Sequence, residues 1–110
     1  MKLNSKRNIN IMKKALYVEQ LNCYAKLCSL YKELSYFCGY HATSEDVQNR
    51  YSHILSIASS GNLDDFITSD FSEKEQKILK KYEKYSILFN RYNEAIKILS
   101  EVNINEWNRK

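Results

Sequence analysis

Cys38 and His41 have two residues between them, a spacing that lets a thiolate and an imidazole reach one metal ion. A closed site needs further ligands, and the other thiols are Cys23 and Cys28. Those two lie five positions apart, about 140° around a helix axis, so one ion cannot easily take both. Gly39 also interrupts any helix between Cys38 and His41. The expectation is structural thiols and a solvent-side histidine, with no metal and no cofactor. Nucleophilic catalysis would need a cysteine or serine beside a base and an orienting group. His41 and His53 are the two imidazoles, and no glycine elbow accompanies any serine. Arg50 and His53 lie one helical turn apart and match no catalytic spacing. No catalytic residue is assigned, and the chain is expected not to be an enzyme.

Charged side chains offer a different chemistry. Glu45/Asp46, Asp64/Asp65 and Glu73/Glu75 stand at expected helix starts, where carboxylates cap amides and complement the helix dipole. Lys74, Lys77, Lys81 and Lys84 fall on one side of one expected helix, with Arg91 further along. Lys2, Lys6, Arg7, Lys13 and Lys14 crowd the start. Such clusters neutralise phosphates, so Lys74, Lys77, Lys81, Lys84 and Arg91 carry an expectation of nucleic-acid contact. The competing explanation is a solvated helix face, partly balanced by Glu73 four residues before Lys77. A helix-turn-helix over 51–69 would carry Asp64 and Asp65 into a groove of the same charge. Two isolated glycines build no phosphate loop.

The elements that must position these groups are helical. The chain has 110 residues, no proline and two glycines, so little stops a helix once started. The fold class is all-α, a single helical domain over 1–110. It consists of two long helices (about 8–38 and 73–102), one medium helix (44–59) and a short helical turn (63–68). Ile9, Met12, Leu16, Cys23, Leu27, Leu30, Leu34 and Phe37 mark the inner face of the first, with Tyr17, Tyr24 and Tyr31 in a row beside it. Thr43-Ser44-Glu45-Asp46 comes near the capping-box pattern, Ser72-Glu73-Lys74-Glu75 reads as a full capping box, and Gly39 and Gly61 read as stops. In the last helix Ile78, Tyr82, Tyr85, Phe89, Tyr92, Ile96 and Leu99 are spaced 4, 3, 4, 3, 4, 3. That is a heptad seam, and Leu79, Leu88, Ala95 and Val102 widen it beyond one neighbour.

Lengths then set the functional expectation. Each long helix spans about 45 Å and the medium one about half of that. The medium helix therefore cannot cover both long seams. Ile9, Met12, Leu16, Tyr82, Tyr85, Phe89 and Tyr92 are the expected seam for a protein partner or a second copy, a homodimer completing a four-helix arrangement.

Charge and composition bound the rest. Residues 1–40 carry seven Lys/Arg and two Glu, residues 41–70 one Arg and five Asp/Glu, and residues 71–110 nine basic and six acidic side chains. An acidic middle between two basic ends can neutralise itself in a compact domain. No apolar stretch reaches the roughly 20 residues that cross a bilayer, so no membrane is expected. An odd set of three cysteines, and no apolar run behind Lys2, Lys6 and Arg7 that would serve as a leader core, carry the expectation of a reducing, cytoplasmic location. Abundant Lys, Asn, Ile and Tyr with scarce Ala, Gly, Pro and Arg point to an AT-rich genome, such as a low-GC bacterium or its phage. The stretch Phe71-Ser72-Glu73-Lys74-Glu75-Gln76-Lys77-Ile78-Leu79 resembles the last-helix start of small helical bacteriocin-immunity proteins. The resemblance implies an immunity-like helical bundle. The leading expectation is a non-enzymatic helical protein that binds another protein, as an inhibitor of the anti-defence type or an accessory subunit of phage or mobile-element origin. A basic nucleic-acid-binding protein is the alternative.

Overall fold

The computed structural model describes residues 2–66 and 70–108 and, within them, the side chains of 7–66 and 70–101. The chain is all-α: α1 Lys2–Ser35, α2 Ser44–Ser59 and α3 Glu73–Asn108, with single-turn 3-10 helices at Tyr36–Cys38 and Leu63–Asp65. There is no strand among the described residues. α1 starts six residues before the expected boundary, and α3 runs past 102, because neither end contains a glycine or proline to stop it. α1 tightens to 3-10 geometry at Tyr36, and Gly39 then takes a φ of 125° that leads the chain away. Of the expected turn at 63–68, positions 67 and 68 lie outside the described residues.

Both capping boxes form. The Thr43 hydroxyl accepts the Asp46 N–H at 3.3 Å, and the Asp46 carboxylate accepts the Thr43 N–H at 2.8 Å. The Ser72 hydroxyl accepts the Glu75 N–H at 3.2 Å, and Glu75 Oε1 accepts the Ser72 N–H at 3.0 Å. α2 ends at Gly61, whose φ of 82° turns its N–H back to the Ala58 carbonyl at 3.1 Å.

Cross-chain contacts fix the topology. Gln20 Nε2 donates to Asn93 Oδ1 at 3.3 Å, the Tyr24 and Phe89 rings pair at 6.4 Å, and Leu34 shares a core with Leu79. Residue numbers rise on α1 as they fall on α3, so these two helices are antiparallel. Arg50 meets Glu75 and Gly61 abuts Ile87, so α2 runs parallel to α3. The continuous core of Leu34, Val47, Tyr51, Ile54, Leu55, Ala58, Leu63 and Leu79 sits wholly at the α2 end. α1 and α3 continue beyond it as a two-helix arm. The molecule therefore measures 58 × 29 × 20 Å, with a radius of gyration of 18.6 Å where a compact chain of this length would have about 13 Å.

Candidate interaction surface

A polar latch holds α2 against α3. α3 begins where Ser72 and Glu75 cap it, and the capping geometry turns the Glu75 carboxylate inward, where it is almost fully buried. There Glu75 accepts hydrogen bonds from the Tyr51 hydroxyl, from Arg50 Nε at 3.1 Å and from Arg50 Nη2 at 3.0 Å. The Tyr51 ring stacks on Phe71 at 5.9 Å, and the Arg50 guanidinium lies 5.9 Å from the centre of the same Phe71 ring. Burial alone would raise the Glu75 pKa. The bonds from Tyr51, the Ser72 amide and Arg50 outweigh it and hold the carboxyl below its usual value. Tyr51 moves the other way, pushed up first by burial and then by its bond to Glu75, so its hydroxyl stays a donor. Two turns further along α3, Glu83 accepts the Leu63 N–H at 2.8 Å and pins the connection after α2. Glu75, Leu79, Glu83 and Ile87 thus form the row on α3 that meets α2 and the connection following it, and α2 ends level with Ile87.

Beyond that level the two long helices cover only each other. On α1 the row turned to α3 is Ile9, Lys13, Leu16, Gln20, Cys23, Leu27, Leu30 and Leu34, all buried or half-buried. Ile9 and Leu16 stand in it as expected from the sequence. Met12 does not: it is exposed, and Lys13 takes its place, because a lysine stem lies along apolar surface while its ammonium stays wet. On α3, Tyr82 packs half-buried against the core, and Tyr85, Phe89 and Tyr92 are also half-buried. Tyr24 joins them through Phe89.

Lys74, Lys77, Lys81 and Lys84 are all exposed and follow one another at spacings of 3, 4 and 3. Relative to the row that meets α2 they lie roughly 150° around the helix, so they face away from it. The Lys84 ammonium sits 5.8 Å from the centre of the Tyr85 ring. Arg91, two turns beyond Lys84, is also exposed. It lines an apolar groove of about 470 Å³ at the end of α2, formed with Ser60, Ile87, Glu94, Ala95 and Ile98. A second, polar depression of about 430 Å³ lies between Phe37, Cys38, Asp46, Asn49 and Arg50.

Spacing on α1 held a signal beyond the inner seam. Ile11, Tyr17, Val18, Leu21 and Tyr24 are 48% to 66% exposed on its outer side. Ile11, Lys14, Val18, Leu21, Ala25 and Cys28 repeat at 3, 4, 3, 4, 3, a second heptad row that the inner row masks in the sequence.

The sulfur groups fall far apart. Cys23 is buried in the α1 seam, Cys28 is exposed, and Cys38 lies by the polar depression. Burial pushes the Cys23 and Cys38 thiols up, which keeps them protonated at neutral pH. The His41 ring packs edge-on against Tyr40 at 4.7 Å. Among the described residues no group of three or more His, Cys, Asp or Glu side chains could hold a metal ion. None of the described helices is long and apolar enough to cross a membrane. The 71–79 stretch takes its pattern from packing: Phe71 stacks on Tyr51, Ser72 and Glu75 cap α3, and Leu79 is fully buried. No family model matches the chain, and neither a curated protein nor a solved structure matches it.

Proposed function

We propose that this protein is a non-enzymatic binder of another protein, an inhibitor or accessory subunit of the kind that phages and other mobile elements encode. Its target docks on the face that α1 and α3 share away from α2. The observation that supports this reading is the aromatic row Tyr85, Phe89 and Tyr92 with Tyr24 beside it. These rings stay half-buried or exposed because α2 packs on another side of α3. Half-exposed aromatic rings over a rigid two-helix base bury large area at low entropy cost when a partner covers them. The test is capture of proteins from the source cells by the tagged chain and by its Tyr85→Ala/Tyr92→Ala variant. The variant keeps its helical circular dichroism and loses the captured protein. Equal capture by both chains refutes the reading.

A second reading rests on the lysine row. Lys74, Lys77, Lys81 and Lys84 form an exposed basic edge with Glu73 as the carboxylate beside its first turn, and Lys84 lies against Tyr85. This edge would track a phosphate backbone. Gel shifts with duplex and single-stranded nucleic acid at low and moderate salt test it. Salt-sensitive binding abolished by Lys77→Glu/Lys81→Glu/Lys84→Glu supports it, and binding that this variant leaves unchanged sinks it.

A further inference from the structure

We infer that the outer face of α1 is a self-association seam, covered by α1 of a second copy of this chain running antiparallel. The inference concerns a different face from the proposed target site and does not rest on it. Its row is Ile11, Lys14, Val18, Leu21, Ala25 and Cys28, every member exposed. Spacings of 3 and 4 sustained over this length are the geometry by which one helix receives another. Five of its six members are uncharged, and so are the flanking positions: Asn10, Tyr17 and Tyr24 on one side, Ala15, Asn22 and Ser29 on the other. In a chain with 27% charged residues, Lys14 is the one charge on this face between positions 10 and 29, and the exposed Arg7 and Lys32 continue the row one turn beyond each end. A strongly charged protein finds little to pair with along its centre. A second copy meets like charge only at the two ends, where Arg7 nears Lys32.

The pattern also selects orientation. An antiparallel pair sets Val18 against Leu21 of the other copy, Ile11 against Cys28 and Lys14 against Ala25. The two largest aliphatic pairs then sit at the two-fold axis, and the small Ala25 side chain leaves room for the Lys14 stem to pass over it into water. A parallel pair would instead stack Lys14 on its own copy, like charge on like charge. The area suffices. Ile11, Tyr17, Val18 and Leu21 together leave on the order of 500 Å² exposed per copy, so two copies reach about 1,000 Å², the least that a specific interface needs. The two-fold axis stands perpendicular to the plane of the paired α1 helices. Both aromatic faces therefore end on the same side of the dimer, available to one target.

Sedimentation equilibrium of the purified, reduced full-length chain, from about 1 to about 100 µM, tests the inference by mass action. The native chain is expected to dimerise within that range. Val18→Glu and Leu21→Lys should each weaken dimerisation by about tenfold or more, because each brings a charge into the apolar centre of the pair. The Val18→Glu/Leu21→Lys double variant should recover dimerisation, since the new carboxylate then faces the new ammonium of the other copy. Circular dichroism shows that each variant keeps its helices. Three outcomes overturn the inference: a native chain that stays monomeric at about 100 µM, single variants that dimerise like the native chain, or a double variant as weak as the singles. A monomeric native chain that still captures a target through Tyr85 and Tyr92 overturns this inference and leaves the proposed function standing.

Discussion

Glu75→Gln should destabilise the fold by about 3 kcal/mol at pH 7. The carboxylate is 4% exposed and uses both oxygens: Oε1 takes the Ser72 N–H, and Oε2 takes the Tyr51 hydroxyl and Arg50 Nε. An amide has one acceptor. Whichever way it turns, its NH2 group faces an N–H donor, either the Ser72 amide and Arg50 Nη2 or Arg50 Nε. Hydrogen bonds to a charged group contribute about 1.5–3 kcal/mol each, and breaking a fully buried pair costs about 3–5 kcal/mol. The Arg50 side chain is 43% exposed, so water takes over part of its solvation and keeps the loss near the low end. For a domain of this size that loss lowers Tm by roughly 12–20 °C. Urea unfolding followed by circular dichroism measures it. The acid limb provides a second check. The folded-state pKa of Glu75 is lowered, so its contribution is present above the ordinary carboxylate value of 4.5 and lost as pH falls through the folded value. The gap between native chain and variant should hold constant from pH 7 to about pH 5 and close below it. A loss under about 1 kcal/mol at pH 7, or equal acid slopes for the two chains, refutes the latch as a source of stability.

Other perturbations follow from packing and backbone geometry. Leu79→Ala, at a fully buried position, should cost about 3–5 kcal/mol by urea unfolding, whereas Leu21→Ala, 66% exposed, should cost the isolated protomer under about 0.5 kcal/mol. Gly61→Ala should cost about 1–2 kcal/mol in the same assay. A Cβ there meets Ile87 Cδ1 at an ordinary 3.5 Å, so the cost is the left-handed φ of 82°, and a neutral result would discount the strain. Burial raises the pKa of both Tyr51 and Tyr82 in the folded state. Stability should therefore hold up to about pH 10 and fall as pH rises further; equal urea midpoints at pH 9 and pH 11 would contradict this.

Some of this architecture was legible because its signals are local. A capping box is written in four consecutive residues, so Thr43 and Ser72 mark the starts of α2 and α3 without help from the rest of the chain. The α3 rows were legible because the apolar pattern runs without a break. α1 was harder. It carries apolar residues on two opposite sides, so spacing alone could not say which row meets α3. Met12 fits a seam by type, while Lys13 fills it by position. The latch was hidden for another reason. Glu75 reads from the sequence as a capping acid, and it is one. Its second role depends on Arg50 and Tyr51, brought to it only when α2 folds alongside α3. The lysine row was legible as a face because its members recur at spacings of 3 and 4, whereas the groove beside Arg91 was not, since α2 brings Ser60 to it only in the fold.

The position of Gln20 opposite Asn93 has a temporal consequence. The bond spans 73 residues, whereas the Arg50–Glu75 pair spans 25. Closing the longer loop costs about 1 kcal/mol more chain entropy, with less buried area at that end to offset it. The α2–α3 hairpin should therefore order first, and the arm should close last and reopen first. In the rate constants, substitutions at Leu79 should slow refolding, while changes at Gln20 or Asn93 should leave refolding unchanged and speed unfolding. The protein would then spend brief intervals with its base folded and its two long helices parted at the far end.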